Sequence, residues 1–491
     1  ATGTRTINFG GTAGATESNV LSVATTGTSG IVIGSSATDT VALTGGFNSI
    51  DLTGLTCTIS NTARSIYGDL TVPTSGGTLT AGTAVTTFAG TTGTENISTN
   101  GRTLDFPITF NGAGGSWTLQ DNLTLASTLT TTLTAGTLAL GTFTLTTGLF
   151  SSSNSTARTI NFGTGKIALT NSATATIWNT GTVTNLTVSG TPLVESSGGG
   201  VGIKTINSGA LSEANAISFS LLETTGTATY TFTAGDVVKN LIINGSQTVS
   251  NIAITIYGSF THQTGNGTTT FSAGANAWTL GATSGSYNIN NIAGFTYDFP
   301  WTFGSATAST ATWTIQANWT VGVSSRTITW QNGTLDFNNK TLSGAYTITV
   351  NGGTFTVNNT GGSSLSTNLI TQSAGTMNLG CNVTAPYTLN GGTLALGSFT
   401  LTATAFTSSN STARTLNFGT GKIVLNPSGN STPWNTGTVT NLTVSGTSLV
   451  ECQGGGAGVT KTINTGALSE ANAINFSLLE TTGTATYTFT A

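Results

Sequence analysis

The chain has 491 residues, of which 12 are Lys or Arg and 16 are Asp or Glu, for a net charge of −4. Charged side chains therefore hold about a quarter of their usual share, too few for the surface of a typical soluble enzyme. The absence of any Lys/Arg cluster argues against nucleic acid or an anionic membrane as partner, since counterion release needs several cations on one face.

With 36% apolar residues and little net charge, the chain is also unlike a charge-driven disordered one. Thr, Val, Ile and the aromatics favour strands, so the composition reads as all-β. No apolar run approaches the roughly 18 residues needed to span a bilayer. The N-terminus has neither Met nor a basic–apolar leader, so Ala1 is not read as a natural start: either a leader was removed or the chain is an excerpt of something longer. Cys57, Cys381 and Cys452 have no CxxC or zinc-site spacing and are read as structurally neutral thiols.

Taken in chain order, the text repeats. Arg5-Thr6-Ile7-Asn8-Phe9-Gly10 returns at Arg158 and, with Leu for Ile, at Arg414. Asp105-Phe106-Pro107-Ile108-Thr109-Phe110 resembles Asp298-Phe299-Pro300-Trp301-Thr302-Phe303. The stretch from Gly136 to Ala234 returns from Gly392 to Ala491 with one inserted residue, beside Gly198, Gly199 and Gly200, so that segment is read as a loop. This divides the chain into a partial unit over 1–135, a full unit over 136–391 and a truncated second copy over 392–491. Leu211 to Ala216 and its copy Leu468 to Ala473 are the only helix-friendly runs, each read as a side loop or single turn.

A finer beat lies inside these units: Gly333-Thr334, Gly353-Thr354, Gly375-Thr376 and Gly392-Thr393 each open a short alternating pattern. One coil of about 20 residues follows, giving roughly 24 coils and a rod on the order of 115 Å at the ~4.8 Å spacing of paired strands. The predicted fold is a right-handed parallel β-helix (β-solenoid), its hand taken from the general rule for parallel crossovers. Inward Leu, Ile, Val, Phe and Ala would stack in ladders, with outward Thr keeping the faces soluble. A tandem β-sandwich array is the alternative. Open strand edges at both ends imply end-to-end stacking or a longer polypeptide.

Few residues carry chemistry. Glu195 with Glu451, Glu213 with Glu470, Glu223 with Glu480, Lys166 with Lys422 and Arg158 with Arg414 occupy matching repeat positions. A single active site would not be copied with its scaffold, so these are read as loop charges or ion pairs between coils, with a repeated ligand-binding face as the alternative. Gly163-Thr164-Gly165-Lys166 only mimics a phosphate loop, because Ile167 stands where Ser or Thr would hold magnesium. His262, the one histidine, is expected to be an exposed imidazole. Trp301, Trp313, Trp319 and Trp330 stand close enough to form a stacked core, the favoured reading, or an aromatic strip for sugars, which makes them the candidate glycan-binding residues. Asn185, Asn318 and Asn441 open Asn-x-Thr/Ser triplets. No catalytic residue, metal ligand or cofactor site is assigned.

The phrases NGTLDFNNKTL, GGTLALGSFTLT, SSNSTARTLNFGTGK and TNLTVSGT resemble the Thr/Gly/Asn-rich repeats of bacterial cell-surface and phage virion proteins, such as giant adhesins, autotransporter passengers and tail fibres. The resemblance implies a β-helical fibre outside the cell, on its surface or on a virion. The expected function is a structural rod without catalysis, associating end to end or side by side. A fibre gripping glycans or a host-surface receptor is the alternative, and a polysaccharide-active enzyme around Asp298 or an ice-binding Thr ladder stand behind it. The uneven beat of 17 to 22 residues argues against a flat ice-binding face.

Overall fold

Strand Leu241–Gly245, LIING, buries every second residue, and this two-residue alternation is the motif from which the protein is built. Most inward side chains are apolar, and most outward ones are Thr, Ser or Asn, whose short polar side chains keep a strand soluble without charge. The computed structural model describes residues 4–8, 23–24, 40–265, 267–305, 308–322, 326–344, 346–362, 364–453, 458–479 and 484–490, with backbone alone for the first two stretches. Phe9, Gly10, Gly454, Gly455, Gly456, Glu480 and Ala491, on which parts of the repeat reading fall, lie outside the described residues.

Contacts divide the chain into two compact units, Ala1–Ser250 with Thr264–Thr270, and Asn251–Gln263 with Phe271–Ala491. Both are parallel β-solenoids, and together they comprise about 20 turns of about 22 residues. In the first unit, Leu186–Ser189 pairs in parallel with Arg158–Asn161, Leu193–Ser196 with Lys166–Leu169, and Ile203–Asn207 with Ala175–Asn179. One coil thus lays three strands, and the next coil covers each of them. The second unit repeats the arrangement where Leu442–Ser445 covers Arg414–Asn417, Leu449–Cys452 covers Lys422–Leu425 and Thr460–Asn464 covers Ser431–Asn435. Parallel pairing throughout these stacks removes the sandwich array, which needs antiparallel sheets.

The coils are longer than the glycine beat indicates, because the beat is not the register. Thr334 pairs with Thr356 and not with Thr354, which pairs instead with Thr376 and through it with Thr393. The 13-residue strand Tyr346–Asn358 turns a corner within itself at Gly352 and Gly353 and serves two faces. Unequal coil lengths are absorbed at such corners, so the faces stay in register. In the second unit an outward column runs from Thr255 through Thr302, Thr349 and Thr388 to Thr407 with Thr on every strand between. The uneven beat therefore says nothing against a regular face.

The helix-friendly runs are single turns: Ser212 to Asn215 closes one hydrogen bond, and its copy is a short 3-10 helix, Glu470–Asn472. The cores are ladders of like side chains, identical in some places, as where Ile328, Ile348 and Ile370 stack, and mixed in others. Leu138, Ile160 and Val188 form one; Tyr387, Phe406 and Trp434 form another, with neighbouring ring centroids 6.1 and 4.7 Å apart. Each buried aliphatic or aromatic side chain of this kind contributes about 1.5–3 kcal/mol.

Candidate functional sites

The alternation that builds the strands also decides where the candidate residues point. Trp301, Trp313, Trp319 and Trp330 all occupy the inward phase and are at most 1% exposed. Trp301 meets Trp319 edge-on at 5.0 Å, Phe303 lies 6.0 Å from Trp313, and Trp330 stacks on Phe355 at 5.0 Å. All four indole Nε1 atoms are buried without a hydrogen-bond partner. Their ring faces are covered by neighbouring rings, so this fold presents none of the four to a sugar.

His262 is not the exposed imidazole expected. It follows Phe260 on strand Phe260–Gln263 and shares its inward phase, leaving the ring 3% exposed. Phe271 and Phe295 meet it edge-on at 5.1 and 4.7 Å, and Nδ1 lies 3.0 Å from the Tyr297 hydroxyl. The Ile292 N–H donates to that hydroxyl, so its own proton points to Nδ1 and the imidazole proton sits on Nε2, which has no partner. Desolvation pulls the imidazole down to about pKa 4, so it is neutral at physiological pH.

The duplicated charges pair with the next coil. Lys166 donates to Glu195 at 3.0 Å, and the copy, Lys422, donates to both oxygens of Glu451 at 2.9 Å. Lys239 lies 3.8 Å from Glu213, whereas Glu470 opens the exposed 3-10 turn. Partly exposed pairs of this kind contribute about 0–1 kcal/mol. Arg158 reaches carbonyls of its own corner, Ser152 and Thr156, and of the following coil, Thr182 and Thr184; Arg414 repeats this with Ser408, Thr412, Thr438 and Thr440. Asp298 pairs with Arg326 at 2.8 Å. Among the described residues no three His, Cys, Asp or Glu side chains gather as a metal site would require.

A charged cluster that the sequence reading passed over lies inside the first unit. Lys204 and Glu223 are both fully buried, 2.5 Å apart, and Tyr230 donates to the same Glu223 oxygen at 2.6 Å while contacting the Ser196 hydroxyl at 2.8 Å. Lys204 also donates to the Gly198 carbonyl and lies 5.3 Å from the Tyr230 ring centre. Burial, and then the charge of Glu223, push the Tyr230 hydroxyl well above its ordinary range, so it remains a donor. The signal was present: IKTIN puts Lys204 in phase with Ile206, and SFSLLE puts Glu223 in phase with Phe219 and Leu221. In the second unit Lys461 keeps its ring, 5.4 Å from Tyr487, and Cys452 stands where Ser196 does.

The remaining motifs serve the backbone. Around Gly163-Thr164-Gly165, the N–H groups of Thr164 and Gly165 donate to the Gly141 carbonyl and that of Gly163 to the Asn161 side chain, leaving no cradle for phosphate. Gly198 to Gly200 form the expected loop, held by a bridge between Gly200 and Gly226 and by the Lys204 ammonium on the Gly198 carbonyl. Asn185 and Asn441 are exposed with left-handed φ of 57° and 58°, and Asn318 is exposed in a corner. Cys57, Cys381 and Cys452 are buried and form no disulfide, and for Cys381 burial and the charge of Asp336 push the thiol up to about 11, far from a reactive thiolate. No family model, curated protein or solved structure matches this chain.

Proposed function

We propose that the protein is a structural fibre or surface-filament protein, working outside the cell, on its surface or on a virion, and that it catalyses no reaction. One observation carries this reading: the long repeat preserves bonds between coils. The Arg158 and Arg414 corners and the Lys166–Glu195 and Lys422–Glu451 pairs recur nearly unchanged, as do the indole-to-threonine bonds within a coil, Trp178 with Thr180 and Trp434 with Thr436. Duplication of internal fasteners is what a chain selected for length and stiffness requires. The low charge and outward Thr columns favour self-association end to end or side by side, because no like-charge field opposes it. The likeness of the repeat phrases to those of bacterial surface and phage virion proteins supports the location. A glycan- or receptor-gripping fibre would need a surface other than the four buried tryptophans.

Electron microscopy of the purified native protein tests the reading. Rods or filaments with a ~4.8 Å axial layer spacing are the expected result. Compact particles lacking that spacing would overturn it.

A further inference from the structure

Arg64, like Arg158 and Arg414, is a buried arginine that opens an inward-facing strand position, and it is 8% exposed. The three share a local sequence: Ser153-Asn154-Ser155-Thr156-Ala157-Arg158 and its copy ending at Arg414 are matched by Ser60-Asn61-Thr62-Ala63-Arg64, one residue shorter. In the longer corners the guanidinium is held by carbonyls of its own loop and of the following coil. The shortened corner cannot do this. Among the described residues Arg64 reaches only the Ser60 carbonyl, at 3.4 Å. The backbone N–H of Arg158 bonds Asn185 O and that of Arg64 bonds Val85 O, so Ala84 O is the counterpart of the Thr184 carbonyl that Arg158 uses. Asn61 already holds that carbonyl at 3.0 Å.

The result is a buried cation without its ligands. Among the described residues Arg64 Nε has no partner, and neither has the hydroxyl of Thr86, its neighbour on the next coil, which is 1% exposed. None of the described carboxylates forms an ion pair with Arg64, and its other contact is the Phe106 ring, 5.5 Å from Cζ. Desolvation lowers the guanidinium to about pKa 10. Arg64 and Thr86 line a cavity of about 10 Å³ whose other walls include Ile50, Leu70, Val72 and Phe106. That volume admits one small particle, a water or a monatomic anion, and is too small for an organic carboxylate or a phosphate. A water molecule would satisfy a hydrogen bond but leave the charge uncompensated in apolar surroundings, where compensation matters most.

We propose that the Arg64 corner binds a single halide ion, chloride in solution, held by Arg64 Nε and the Thr86 hydroxyl. This rests on the corner alone and is independent of the fibre reading. The test is denaturant unfolding of the full chain in sodium chloride against sodium gluconate at fixed ionic strength. The midpoint should rise with chloride and level off; the response should vanish in Arg64→Met, and in Thr86→Val it should need about tenfold more chloride, the factor a hydrogen bond to an ion is worth. Equal chloride response in wild type and both variants would overturn the assignment. Crystals grown in bromide keep the proposal testable should Arg64→Met fail to fold: an anomalous peak within hydrogen-bond distance of Arg64 Nε and Thr86 Oγ1 supports it, and an ordered water there without anomalous signal refutes it.

Discussion

Inside the first unit a lysine and a glutamate share one proton-rich pocket with a tyrosine, and the cost of separating them sets the first prediction. Removing one member of a buried pair strands the other charge, which costs about 3–5 kcal/mol, whereas replacing both with apolar groups is near neutral. Lys204→Met should therefore lower unfolding free energy by that amount, and Lys204→Met with Glu223→Leu should recover most of it in a double-mutant cycle followed by urea unfolding. His262 sets a second. Its imidazole titrates near its ordinary 6.5 when unfolded and at about 4 when folded, so the unfolded chain takes the proton first as pH falls. Stability is lost from about pH 6.5 down to about 4 and no further, to the extent of about 3 kcal/mol. Asp236, raised by burial from 3.8 to about 6, acts oppositely, losing stability as pH rises through that interval. The difference between wild type and His262→Phe isolates the histidine, because Asp236 titrates in both: between pH 6.5 and 4 the urea midpoint of the wild type should fall relative to that of the variant. Both sites were legible in outline. Strand phase puts Lys204, Glu223 and His262 inward, but polarity argues outward, and only the partner on another coil decides between them.

Corners are the elements that set the geometry, and two glycines show why. Gly375 and Gly392 have φ of 72° and 77°, and a Cβ on Gly392 would lie 2.1 Å from the Gly375 carbonyl oxygen. The positive φ alone costs a larger residue about 1–2 kcal/mol, and the backbone contact adds to it. Gly392→Ala should thus destabilise the second unit by at least about 2 kcal/mol in chemical unfolding, while the outward change Thr388→Val, on a neighbouring strand, should stay within about 0.5 kcal/mol. Alternation and glycine punctuation made the strands and the parallel stacking readable. Coil length was not readable to better than two residues, since Gly333 and Gly353 look alike in the text although one opens a strand and the other lies within a 13-residue strand. The Arg64 corner was missed for a related reason: a one-residue deletion looks minor in sequence, yet it removes the carbonyls that hold the guanidinium.

At the scale of the molecule, each coil within a unit touches the coils before and after it, so stability is a sum of local terms and not the property of one core. Unfolding should depart from two-state behaviour, with a calorimetric enthalpy exceeding the van't Hoff value, and a core lesion in one unit, such as Trp434→Ala, should lower one part of the transition and leave another in place. The eight tryptophans offer a further consequence. All are buried to within 2% of full cover; Trp178 and Trp434 donate to Thr180 and Thr436, whereas the other six indole N–H groups have no acceptor. An excited indole that meets neither water nor an acceptor cannot relax its dipole, so the native protein should fluoresce at the blue end of the tryptophan range and resist quenching by iodide. The two hydrogen-bonded rings supply whatever red shoulder remains, and local opening of a coil can be followed by its colour.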